Sequence, residues 1–139
     1  MLEYKILRKI AVLGYRVVGK EMRTLELNIV QWNRYQPKYD IRTWMRTQTG
    51  ERFNGGMTMT TNEMDALLEY FSPVITNRQR EVLSATIAGT GCKTIFCLAD
   101  GGCYISEKRD EKKAVREKHL TLSKEELKIL LKAYADFKK

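Results

Sequence analysis

The chain has 139 residues, 43% hydrophobic and 30% charged, which excludes a disordered polymer, leaves no room for a large catalytic apparatus and allows one domain or two very small ones. Net charge is +8, from 25 Lys+Arg against 17 Asp+Glu spread over both halves, and this favours a polyanionic partner such as nucleic acid. No apolar run approaches the roughly 20 residues needed to cross a bilayer, so no membrane partner is expected. The first 20 residues break their apolar positions with cations too often for a signal peptide, so a cytoplasmic address is expected.

In chain order, residues 2–13, LEYKILRKIAVL, are rich in β-branched and aromatic side chains and predict a first strand. GYRVVGKEMR reads as a polar, glycine-bearing link to a second strand, TLELNIVQWN. Because side chains alternate along a strand, Leu25, Leu27 and Ile29 share one face, and Asn28, Val30 and Trp32 the other. Pro37 marks a turn. The third strand, KYDIRTWMR, sets Tyr39, Ile41 and Thr43 on one side and Lys38, Asp40, Arg42, Trp44 and Arg46 on the other. TQTGERFNGG reads as a loop and MTMT as a short fourth strand. The period then changes. Met64, Leu67, Leu68 and Phe71 form a helical stripe behind a capping box of Thr60 and Glu63, and Pro73 ends the helix.

The same grammar returns in the second half. EVLSATIAG and KTIFCLA predict strands, Asp100-Gly101 a tight hairpin turn, and CYISEKR a further strand. DEKKAVREK reads as a charged loop leading into HLTLS and a last helix, capped by Ser123 and Glu126 and striped with Leu127, Leu130, Leu131 and Tyr134. A shift of 63 positions carries Thr58 onto Thr121, Glu63 onto Glu126, Met64 onto Leu127, Leu67 onto Leu130, Leu68 onto Leu131 and Phe71 onto Tyr134. One offset that satisfies a strand, a cap and a helix stripe argues for an internal duplication, with units at 1–72 and 73–139.

A four-stranded sheet with one helix covers one face only, so the helix stripes are expected on the Leu25, Leu27, Ile29, Ile41 side and the other face is expected bare. That second face carries aromatic rings among cations, with Asn28 and Asn33 as neutral hydrogen-bonding groups. Unpaired bases stack on rings while Lys and Arg neutralise phosphates, so the mixture suits single-stranded rather than double-stranded nucleic acid. Neither helix reads as a recognition helix, because each spends its apolar stripe on the core. Two plainer readings stay open: Trp32 and Trp44 as core residues, and Arg42 paired with Asp40 across the sheet.

WNRYQPKYDIRTW, followed by GGMTMTTNEMDALLEYF, resembles the positive cofactor four family of transcriptional coactivators, in its bacterial YdbC-like branch, over residues 3–71. The resemblance implies a curved four-stranded antiparallel sheet with a helix, dimerisation, and binding of single-stranded DNA on the sheet without strict sequence preference. It implies Trp32 and Trp44 as stacking rings and Lys38 and Arg42 as phosphate contacts. Strand parity and position add Arg34 and Arg46. Asn54 stands where the family commonly has Lys or Arg, and Arg52 is the nearby substitute. The related Whirly and Pur-alpha folds carry two such units per chain. The expected fold is therefore α+β, two ββββα units packed as an intrachain pseudo-dimer, with the chain a monomer of that kind or a homodimer.

Catalysis finds little support: His119 has no nucleophile beside it in sequence, and no glycine-rich phosphate loop or paired-carboxylate signature occurs. No small-molecule substrate and no cofactor are expected. Cys92, Cys97 and Cys103, without a secretion signal, are read as reduced. With His119 they could supply four soft ligands, but the spacing lacks the tight C-x2-C knuckle of structural zinc, so no metal is assigned. Two functions remain: a single-strand binder, DNA or RNA, serving transcription or DNA maintenance, and a protein–protein adaptor using the sheet or its edges.

Overall fold

The structure, a computed structural model, describes residues 3–71, 82–87, 91–111 and 114–139. The fold is α+β. Strands β1 (Tyr4–Val18), β2 (Glu21–Trp32), β3 (Lys38–Thr47) and β4 (Gly50–Met59) precede helix α1 (Thr61–Tyr70). Strands β5 (Val82–Ile87), β6 (Gly91–Cys97), β7 (Cys103–Glu111) and β8 (Ala114–Leu122) precede helix α2 (Lys124–Phe137). Both sheets are antiparallel and run in chain order, β1-β2-β3-β4 and β5-β6-β7-β8.

Three segments that read as loops are strand. Residues 14–18 continue β1, residues 21–23 begin β2, and residues 50–56 belong to β4. Of 110–118, the stretches 110–111 and 114–118 lie in β7 and β8. The reason is local. Tyr15, Val17 and Met22, on one face of the β1–β2 ribbon, are all more than 60% exposed, and the other face carries the polar Arg16, Glu21 and Arg23, so neither face is an apolar buried one. Without a buried face a strand has no need to alternate. Gly14, which looks like a breaker, lies where a Cβ would fall 2.2 Å from Glu126 Oε2. It permits the close approach of α2 rather than ending the strand.

The helix stripes pack on the expected side. Leu25, Leu27, Ile41, Met57 and Met59 of the first sheet and Ile95, Ile105, Leu120 and Leu122 of the second enclose Met64, Leu67, Leu127 and Leu130 in one continuous core. Full burial of each such side chain contributes about 1.5–3 kcal/mol. The segments cross: α2 lies across β1, and α1 touches β5. Positions related by the 63-residue shift share their environments, Met64 and Leu127 at 0% and 4% exposure and Leu67 and Leu130 both at 0%.

Both capping boxes form, and each cap glutamate has a second task. Glu63 accepts from the Thr60 N–H at 2.8 Å and also from Lys93 Nζ at 2.9 Å. Glu107 lies 3.1 Å from the same ammonium, and all three residues are 2% exposed. Glu126 accepts from the Ser123 N–H at 2.9 Å and pairs with both Nη atoms of Arg16. Each helix start is thus fixed by a cation from the other half of the chain. Among the described residues, no helix is long and apolar enough to cross a membrane.

Candidate nucleic-acid interface

Although β1 and β4 are opposite edges of the first sheet, the Tyr4 hydroxyl on β1 donates to Glu51 Oε2 on β4 at 2.7 Å. The sheet must curl strongly for these edges to meet. Its bend is built where the β3–β4 register slips between Arg42 and Trp44, a bulge that raises local twist. Gly56, opposite Arg42, is needed there, because a Cβ would lie 2.1 Å from Arg42 Cβ and 2.4 Å from the Ile41 carbonyl.

The concave side is filled by its own rings. The Tyr4 centroid lies 5.5 Å from those of both Trp32 and Trp44 and 5.3 Å from Phe53, and Phe53 is 5.0 Å from Trp32 and 5.6 Å from Trp44. Tilted and edge-on contacts of this kind suit the ring quadrupoles. Between them runs a charged network. Asp40, fully buried, accepts from Arg42 Nε at 2.6 Å and from Trp32 Nε1 at 3.0 Å. Burial pushes its carboxyl above the usual aspartate range, while Arg42, Trp32 and Lys118 pull it back. Arg42 stacks over the Trp32 ring at 4.4 Å. Arg46 bonds Glu26 through both Nη atoms and Glu51 through Nε at 2.8 Å, and lies 5.3 Å from the Trp44 centroid. Burial raises the Glu26 carboxyl, but hydrogen bonds from Arg46, Thr24 and Asn28 outweigh it and hold the group below the ordinary glutamate range.

The expectation of a bare face is therefore corrected. Trp44 is 1% exposed and packs against Tyr4, Phe53 and Arg46. Arg42, 9% exposed, is committed to Asp40, and Arg46 to two glutamates. These three residues hold the face in shape instead of presenting it. Trp32 and Lys38 are half-buried and Arg34 is exposed. The Arg52 side chain is 71% exposed, with a 3.3 Å contact to Glu21. Three residues were missed. Tyr4 and Phe53 are half-buried members of the ring cluster, and exposed Lys9 stands opposite Asn28, its charge helping to lower Glu51. Asn28 Oδ1 and Trp44 Nε1 are buried with no hydrogen-bond partner among the described residues.

No family model matches the chain, and no curated protein or solved structure does either.

Among the described residues no group of three or more His, Cys, Asp and Glu side chains is placed to hold a metal ion. Cys103 is fully buried on the core side of β7, and the Cys92 and Cys97 side chains lie outside the described residues.

Proposed function

We propose that this chain binds single-stranded nucleic acid, DNA in the first place, with little sequence preference, along the rim of the first sheet's concave face, and that it serves transcription or DNA maintenance. One observation carries the reading. Tyr4, Trp32 and Phe53 form a half-exposed ring surface, and around it stand Lys9, Arg34 and Lys38, which make no ion pair among the described residues, while Arg52, opposite Met45 in the register, points to the other face. Rings already clamped by Arg42 and Asp40 lose little freedom when a base stacks on them. The peripheral cations are free to meet phosphates. This arrangement accords with the resemblance to the positive cofactor four family, with Arg42 and Trp44 reassigned from contact to support. The crossed helices and reciprocal glutamate clamps support the two halves as duplicated ββββα units forming an intrachain pseudo-dimer. The chain acts as a binder rather than an enzyme.

A second reading, a protein–protein adaptor, is favoured by the apolar tip of the β1–β2 ribbon, where Tyr15, Val17, Val18 and Met22 are each more than half exposed. Tryptophan fluorescence separates the two, because both indoles lie in the first sheet. Titration at two salt concentrations should show quenching by single-stranded but not double-stranded oligonucleotide. With about four phosphate contacts, log affinity should fall against log salt with a slope of about −3. No quenching by either strand form, or a flat salt response, would reject the strand-binding reading in favour of the adaptor.

A further inference from the structure

We propose that the outer face of the second sheet is a second base-stacking platform, formed by Phe96, Tyr104 and His119, for the same single strand. The proposal rests on the strand-binding reading above and extends it to a surface whose residues differ from those of the first.

Strand parity builds the platform. Ile95, Ile105 and Leu120 point into the core, so their neighbours Phe96, Tyr104 and His119 point outward. The β6–β7 register puts Phe96 opposite Tyr104, with centroids 6.0 Å apart. Tyr104 and His119 are stacked at 5.2 Å with planes 24° apart, and a hydrogen bond joins the tyrosine hydroxyl to His119 Nδ1. The result is a row of rings across three strands. It is open: Phe96 is 37% exposed and the His119 side chain 47%.

The shift that relates the two halves explains the openness. Asp40 stands opposite Thr58 in the first sheet, and Tyr104 stands opposite Thr121, the equivalent of Thr58, in the second. The buried acid that ties down Trp32 and Arg42 thus gives way to a ring. By the same offset Gly56, which brings β4 close to β3, corresponds to His119. A side chain occupies the place where the first sheet tightens, and the ion pair of this face, Lys108 with Glu117, has exposed side chains on both partners.

The ring row decides the occupant. Lys108 has a 61% exposed side chain on this face, whereas Lys118, opposite Glu107 and in phase with Leu120, belongs to the other side of the sheet. The one acid among the described side chains of this face, Glu117, lies 3.4 Å from Lys108, which balances it, and 3.6 Å from His119 Nε2. A row of exposed rings with a solvent-exposed lysine beside it fits bases and a phosphate. The platform also connects to the first sheet, since Gly55 of β4 and His119 and Thr121 of β8 line one cleft with Arg16 and Thr43.

The test uses the full chain and thymidine oligonucleotides of about 8 and about 24 nucleotides, one within and one beyond the span of a single small platform. The double variant Phe96→Ala/His119→Ala should weaken binding of the long strand about tenfold or more while changing the short strand less than about twofold. Lys108→Glu, at an exposed position, should lower the salt slope for the long strand by about one contact, and it decides the matter alone if the double variant melts early. Unchanged long-strand affinity and slope in a protein that still quenches with the short strand would overturn this proposal and leave the first site standing. Equal losses on both lengths would overturn it as well. Failure of the unaltered protein to bind either length would remove the strand-binding reading and this extension together.

Discussion

The two outer sheet faces are built on one pattern and put to opposite uses. On the first, acids and bases are spent on each other: Asp40 on Arg42 and Trp32, Glu26 and Glu51 on Arg46. Trp44 disappears beneath its neighbours and only the rim is accessible. On the second, the matching positions carry Tyr104 and His119, and the rings remain at the surface. The contrast teaches that an aromatic and basic composition does not by itself make a contact surface. A carboxylate placed among the rings turns them into a second core.

Trp44→Ala is the strongest way to break this contrast. If the first face is a packed interior, the substitution should cost about 3–5 kcal/mol, read by chemical or thermal unfolding. A loss below about 1 kcal/mol would show the indole to be at the surface. Next in size is Arg46→Met. The depressed carboxyls of Glu26 and Glu51 contribute stability that is complete above the ordinary glutamate range, near pH 4.3, and is lost as pH falls through their lower folded values. Asp40, shifted upward by burial, works the other way: its contribution is present in acid and lost as pH rises through its folded value. Arg46→Met should therefore lower stability at pH 7 by about 1 kcal/mol and flatten the decline below pH 4. An unchanged acid limb would separate Arg46 from those glutamates. The smallest effect belongs to the open face, where Phe96→Ala should cost no more than about 1 kcal/mol of stability. A larger cost would make the second face another interior.

What could be read from the chain was whatever is decided by neighbours in sequence. Thr60 with Glu63 and Ser123 with Glu126 announced both helix starts, and the parity of Leu25, Leu27 and Ile41 identified the core side. The closure of the first face was not legible, because it depends on a curl that brings Tyr4 to Glu51, 47 positions away. Alternation places Arg42, Asp40 and Trp32 on one side of the sheet but is silent on whether that side is concave. The ribbon at Tyr15–Met22 is illegible for a different reason: its apolar residues face water and its polar Arg16, Glu21 and Arg23 the other side, so the usual alternation of buried apolar and exposed polar positions is missing.

Glu63 and Glu126 each join a cap to a cation from the opposite half, which makes starting a helix and assembling the molecule a single event. A fragment cut between the two would keep its turn-forming sequence and lose the counter-ion that anchors it. A replacement half lacking Lys93 or Arg16 would leave the cap glutamate of the half it joins without that partner.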